Sequence, residues 1–152
     1  SPRRAISSRT GERGPMTRPV TGTRRQHCDL QRRLLKVIFS DTYEALHNPR
    51  YSAMSNPFND RYQNCTEFVL DVMNAAIYET DDYKQIKANV EAYFEPQPVR
   101  VNALKLLLGS IFIADITTSD HSGPVATATF GSIARYMQRH GLTDEVFTVR
   151  LN

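Results

Sequence analysis

The sequence has no stretch approaching the about 20 consecutive apolar residues that a membrane-spanning helix needs. Its longest apolar-rich piece, residues 103–116, is interrupted by Lys105, Gly109, Ser110 and Asp115. A soluble protein is expected. Cysteine is scarce as well: Cys28 and Cys65 could form at most one bridge, and a disulfide-stapled scaffold of this size needs more. The redox compartment therefore stays open. The seven glycines are scattered, and none falls into G-x-G-x-x-G or G-x-x-x-x-G-K, which argues against the usual glycine-rich phosphate loops. Nor do the cysteines and the four histidines (His27, His47, His121, His140) stand at zinc-ligand spacing, the adjacent His27-Cys28 apart. Neither a metal nor a cofactor is expected, and no internal repeat suggests a solenoid.

At 152 residues, with 40% hydrophobic and 23% charged side chains, the chain has room for one domain with a modest core. Its formal net charge of +3 conceals an asymmetry. Residues 1–36 hold ten Lys/Arg against Glu12 and Asp29, a net +8, whereas residues 37–152 hold nine against fourteen acids, a net −5. Within 1–28, seven arginines, three prolines and three glycines leave Ala5, Ile6, Met16 and Val20 as scattered apolar residues. Such a segment cannot bury enough surface to offset its ordering entropy. Residues 1–28 are thus expected to form a disordered arm and residues 29–152 a single domain.

The arm admits three readings. Its arginines could hold a nucleic-acid backbone and release counterions. It could be a targeting segment, although it lacks the apolar region of a secretory signal. It could also be a generic basic tail, since no aromatics interleave its arginines. Binding of nucleic acid by the domain itself is not expected, because its −5 charge repels a phosphate backbone.

From Asp29 onward the texture is helical. Leu30, Leu34, Leu35, Val37, Ile38, Ala45 and Leu46 predict a first helix, with Asp29 placed to cap it and Asn48-Pro49 to stop it. Residues 51–62 are rich in turn formers and predict an ordered loop with aromatic anchors. A second helix starts near Asn64-Cys65, with Phe68, Val69, Val72, Met73, Ala76 and Ile77 on its buried stripe, and ends before Thr80. A third runs over 82–94, where Ile86 and Val90 face inward, and is stopped by Pro96 and Pro98. Residues 99–116 read as a helix through Leu108 and a strand over 111–116. A polar loop (117–124), a strand start (125–130), a helix (131–138) ended by Gly141, and an alternating strand (145–151) complete the pattern.

One constellation could carry chemistry. Cys65 stands where a polar loop turns into an amphipathic helix, and there the unpaired N–H groups and the positive end of the dipole favour a thiolate and can hold an oxyanion. A nucleophile needs a base, and the Ser119-Asp120-His121 loop supplies a histidine with a carboxylate beside it. The competing reading makes Cys65 a small core residue beneath a capped helix, with Asn64 as N-cap and Glu67 completing a capping box. Exposure of Cys65 separates the two.

The block Asn64-Cys65-Thr66-Glu67-Phe68-Val69 resembles the nucleophile helix of papain-like cysteine hydrolases of the NlpC type, including circularly permuted members. More closely, Asp29-Leu30-Gln31-Arg32-Arg33-Leu34, Leu46-His47-Asn48-Pro49-Arg50-Tyr51-Ser52, Asn56-Pro57-Phe58, Arg61-Tyr62-Gln63-Asn64 and Ser119-Asp120-His121 together resemble a bacterial domain family of unknown function, over about residues 29–140. The resemblance implies a mainly helical α+β fold, a partial or divergent papain-like domain with a few short C-terminal strands. Members of that family look exported, periplasmic or secreted. In the permuted arrangement the catalytic histidine lies on a strand upstream of the cysteine helix. Here that region is the arginine-rich arm, and His27 has no strand around it, so the base role falls to His121.

The expected activity is that of a cysteine hydrolase acting on a small amide, peptide or acyl substrate. Cys65 would attack the carbonyl, His121 would act as general base and then acid, and Asp120 or Asp115 would orient the imidazole. Gln63 or Tyr62, beside Asn64 and with the Cys65 N–H, would stabilise the oxyanion. The alternative is a non-catalytic helical interaction module whose basic arm binds an acidic partner.

Overall fold

The computed structural model describes residues 24–100, 116–143 and 145–149. The first helix, α1 (Arg24–Ile38), turns Leu30, Leu34 and Val37 toward the core, the spacing of an amphipathic helix. It starts at Arg24 rather than Asp29, so Cys28 belongs to the helix and not to an arm. Arginine and glutamine are good helix formers, and nothing at 24–28 breaks the run. Asp29 does not cap; it pairs with Arg32 one turn on, at 2.7 Å.

The single helix expected up to Asn48 is interrupted. Ser40 is extended, and its hydroxyl donates to the Val37 carbonyl at 2.8 Å, a local bond that competes with helix continuation. A short second helix follows, α2 (Asp41–Ala45). The loop after it is ordered more by asparagines than by aromatics. Asn48, Asn56 and Asn59 each accept from the backbone N–H two residues on, as turn-forming asparagines do. Phe58 packs on the core, but Tyr51 is exposed.

Helix α3 (Cys65–Tyr78) is capped by Asn64, and α4 (Tyr83–Tyr93) by Asp82, whose carboxylate accepts from the N–H groups of Lys84 and Gln85. The buried side of α3 differs from the expected stripe: Val69 is exposed, while Leu70, Glu67, Asp71 and Asn74 are fully buried. Residues 101–115, which carry most of the helix and strand expected over 99–116, lie outside the described residues. On either side of them, β1 (Gln97–Pro98) pairs antiparallel with β2 (Ala126–Thr127), Gln97 opposite Thr127 and Pro98 opposite Ala126. The strand expected over 125–130 is thus cut short by α5 (Phe130–Arg139), whose first turn is closed by a Thr129–Ser132 capping box. Gly141, at φ 59, ends that helix in the left-handed conformation that glycine adopts without penalty. Residues 145–149 form no strand, and no strand among the described residues pairs with them. The fold is mainly helical with a small two-stranded antiparallel sheet.

Two apolar clusters hold the layers together. Leu70, Ile77, Tyr78, Val90, Phe94, Ala128, Ile133 and Tyr136 join α3, α4 and α5, and Leu46, Val72, Ala75 and Ile86 join α2 to α3 and α4. Across them runs a charged network. Lys87 Nζ lies 2.7 Å from Glu67 Oε1, 2.9 Å from Asp71 Oδ2 and 3.3 Å from the Pro57 carbonyl, so each of its three donors has an acceptor. Gln63 Nε2 adds a bond to Asp71 Oδ2 at 2.9 Å, and the Ser55 hydroxyl donates to Glu67 Oε2 at 2.5 Å. Both carboxylates are fully buried.

One ammonium cannot neutralise two carboxylates. Loss of hydration pushes Glu67 up to about 7 against the pull of Lys87, and raises Asp71 as well. Desolvation works against the Lys87 charge, but the fields of Asp71 and Glu67 outweigh it and hold its value above the usual range. Burial also pushes Tyr83, whose hydroxyl faces Asp71, up to about 12. Because the folded chain binds the Glu67 proton more tightly than the unfolded chain does, this contribution to stability is fully present below about 4.5 and is lost as the pH rises through about 7. Asp71 acts in the same sense.

Urea unfolding should therefore show a less stable domain at pH 8 than at pH 5, and Glu67→Gln should flatten that difference. Lys87→Met should cost about 3–5 kcal/mol at pH 8, the usual result of leaving buried carboxylates without their cation. The loss should shrink at pH 5, where a carboxylate can take up a proton instead.

Candidate functional site

The N-terminus of α3 is built from its cap outward. Asn64 Oδ1 accepts the Glu67 N–H at 2.8 Å, and its Nδ2 donates to the Ala53 carbonyl at 3.2 Å and to Thr127 Oγ1 at 2.8 Å. The Thr66 hydroxyl reaches the Ala128 carbonyl at 2.6 Å. These bonds clamp the first turn of α3 between the loop at 53–55 and strand β2. Cys65 follows the cap and is exposed. The first N–H groups of a helix have no partner within it. Asn64 satisfies that of Glu67, and among the described residues no hydrogen bond engages those of Cys65 and Thr66.

His121 is held by the same loop. Its side chain is 5% exposed, and Nε2 lies 2.7 Å from the Met54 carbonyl. A carbonyl only accepts, so Nε2 carries the proton and Nδ1 is the basic nitrogen of the neutral ring. Asp120 Oδ2 accepts from the Asn56 N–H at 2.7 Å, and the Asp120 carbonyl takes the side-chain amides of Asn56 and Asn59 at 3.1 and 3.0 Å. Its Oδ1, buried and without a hydrogen bond among the described residues, lies 3.6 Å from His121 Nε2. The expected orienting role is thus shared differently: the Met54 carbonyl holds the imidazole, and Asp120 adds a nearby charge and pins the loop. Asp115 lies outside the described residues.

The three supporting residues divide. Asn64 caps, as expected. Gln63 is 3% exposed, and its amide hydrogens go to the Leu46 carbonyl at 3.0 Å and to Asp71 while its Oε1 accepts the Asn48 N–H at 2.9 Å. It has no donor to offer an oxyanion. Tyr62 is half-buried, with its hydroxyl 3.5 Å from Ser119 Oγ, a contact that lowers its value from that of free tyrosine. Glu67 does not reach back to the Asn64 N–H to form a capping box. The Ser55 hydroxyl accepts that N–H at 3.1 Å, and the Glu67 carboxylate turns to Ser55 and Lys87.

Residues 17–137 match a family model described as an uncharacterized protein conserved in bacteria, DUF2145. The chain belongs to this family. The DUF2145 match spans α1 to α5 and so takes in both Cys65 and His121. No curated protein and no solved structure matches the chain. Among the described residues of this DUF2145 chain no cluster of His, Cys, Asp and Glu could hold a metal ion.

Sequence reasoning missed the groups that surround Cys65 and His121 in the structure: Ser55, Asp71, Lys87 and the Met54 carbonyl. A signal existed for some of them. Glu67, Asp71 and Asn74 recur at helical spacing on α3 between apolar positions, which marks a polar stripe running into a core. The Met54 carbonyl has no side-chain signature and could not be read from sequence.

Asn64→Ala should lower unfolding free energy by about 2 kcal/mol or more, since it removes a cap and leaves Thr127 without its partner. Asn64→Asp, which keeps the accepting oxygen and loses the donating amide, should fall between. Urea unfolding of the two variants checks the order.

Proposed function

We propose that this chain is a cysteine hydrolase of papain-like ancestry, cleaving an amide, peptide or thioester bond with Cys65 as nucleophile and His121 as base. The observation that carries the reading is the common loop. Residues 53–55 are gripped by Asn64, next to Cys65, and by His121 through Met54, so an exposed thiol at a helix N-terminus and an imidazole of assigned tautomer hang on one short segment. Exposure of Cys65 supports this over the core-residue reading.

The chemistry follows in balanced steps. His121 Nδ1 takes the thiol proton as the Cys65 sulfur bonds to the substrate carbonyl carbon, placing negative charge on the carbonyl oxygen. The N–H groups of Cys65 and Thr66, at the positive end of α3, would face that charge, with the Tyr62 hydroxyl as a further donor in this reading. Collapse expels the amine or thiol, which takes the proton from His121. Water then attacks the acyl thioester with His121 again as base, and the thiol is regenerated.

A generic activated ester, p-nitrophenyl acetate, tests this without knowledge of the substrate. Acid-quenched protein should carry the acetyl group on Cys65 by peptide mass spectrometry. Cys28, exposed on α1 and distant from any such arrangement in sequence, serves as internal control. His121→Gln should slow acylation of Cys65 on the order of a hundredfold or more, the usual worth of a general base, and leave Cys28 unchanged. Equal acylation of the two cysteines, insensitive to His121, would overturn the proposal.

A further inference from the structure

Ser55 lies in the loop that precedes α3, fully buried, between the charged network and the helix that starts with Cys65. Its hydroxyl donates its single hydrogen to Glu67 Oε2 at 2.5 Å and accepts the Asn64 N–H at 3.1 Å. Asn64 in turn sets the first turn of α3. Its side chain accepts the Glu67 N–H, its carbonyl accepts the Phe68 N–H at 3.0 Å, and Cys65 is the next residue. Hydrogen bonds therefore run from the Glu67 carboxylate through Ser55 to the residue before the thiol.

The direction of those bonds depends on the charge of Glu67, because its two oxygens are not equivalent. Oε1 lies 2.7 Å from Lys87 Nζ, and an ammonium can only donate, so a proton taken up by Glu67 goes to Oε2. There it faces Ser55, and the carboxylic acid becomes the donor. Ser55 Oγ then receives both the acid and the Asn64 N–H, while its own hydrogen loses its acceptor; among the described residues this hydroxyl makes no further hydrogen bond. An unmade bond in a dry site costs free energy, and the longer bond, from Asn64, is the easier one to give up. The other titratable groups that face Glu67 are Lys87 and Tyr83 on α4 and Asp71 one turn along α3, and none of them bonds to the Asn64 N–H. On the loop itself, His121 holds the Met54 carbonyl and Asp120 the Asn56 N–H.

We propose that Ser55 is a positioning residue for Cys65: while Glu67 is ionised, its hydroxyl holds the Asn64 N–H and with it the start of α3 in the placement from which the thiol reacts. This role rests on the reading of Cys65 as nucleophile and names what holds it in place. Protonation of Glu67, or loss of the Ser55 hydroxyl, releases the Asn64 N–H, loosens the first turn and weakens the support its N–H groups give to negative charge on the sulfur. Glu67→Gln imitates the protonated state, because the amide oxygen goes to Lys87 and the amide N–H to Ser55.

The backbone amide of Asn64 reports the coupling directly. In NMR spectra recorded from pH 5 to pH 8 its proton resonance should move downfield with a midpoint of about 7, as Ser55 Oγ becomes the better acceptor. The movement should persist in His121→Gln, which removes the other titration on the loop. It should vanish in Ser55→Ala and in Glu67→Gln, the latter staying near the low-pH position of the parent. Alkylation by iodoacetamide at pH 8, scored as the rate at Cys65 over that at Cys28, should fall about twofold to fivefold in both variants, the usual worth of a charge at a helix end. Removal of the Glu67 charge acting through space alone would instead raise the ratio, by easing repulsion of the sulfur's charge. An Asn64 resonance that stays fixed in His121→Gln overturns the proposal, and so does an alkylation ratio unchanged or raised in Glu67→Gln. Should Ser55→Ala fail to fold, these two measurements decide without it. Alkylation requires no hydrolysis, so a lowered ratio beside acylation insensitive to His121 supports the role of Ser55 and overturns the hydrolase reading alone.

Discussion

Lys87 brings its ammonium group into a region where Glu67 and Asp71 have no access to water, and much of the domain is arranged around keeping those three charges together. The two acids sit one turn apart on α3 and the lysine on α4, so the network sets how these helices face each other. Its remaining bonds reach outward: to the Pro57 carbonyl, to Ser55 and to Gln63, all in the loop that precedes α3. Such a network contributes little net stability compared with an apolar core of equal volume, because desolvation offsets most of the attraction. What it does is penalise alternatives. Any arrangement that separates the partners leaves a charge buried and alone, whereas the apolar clusters beside it would tolerate small shifts.

The same loop carries the candidate site. Ser55 donates to Glu67 and accepts from the Asn64 N–H, so the position of the α3 cap is tied to the buried charges by one hydroxyl. Ser52 exchanges two bonds with Thr117, at 2.9 and 3.2 Å, and Asn56 and Asn59 hold Asp120. The segment from 117 to 121 is thereby fastened to residues more than sixty positions away in sequence. The loop beside the proposed thiol and imidazole is thus fixed by bonds that neither of them makes.

Local signals were read correctly where local physics decides. Asn64 as a cap, Gly141 as a helix stop, and Ile86 and Val90 as the inner edge of α4 depend on nearest neighbours along the chain, and the structure has them so. The departures occur where two remote groups compete for one residue. Glu67 has the spacing of a capping box, yet a buried lysine twenty positions away outbids the backbone N–H three positions away. Val69 has the spacing of a core residue, yet the side of α3 that faces inward is the one bearing the carboxylates that Lys87 requires. Gln63, adjacent in sequence to the site, is drawn to Asp71 and the Leu46 carbonyl.

By itself the sequence determined the order of the main helices, the Asn64 cap of α3, the concentration of positive charge at one end, and the place of Cys65 at the start of α3. These follow from periodicity, capping chemistry and charge counting, each of which acts within a few residues. The tertiary structure alone decided that Glu67, Asp71 and Lys87 share a dry site, that the Met54 carbonyl selects the tautomer of His121, and that Cys65 is exposed. Those outcomes depend on which distant groups can reach one another once water is excluded, and no spacing along the chain encodes that distance.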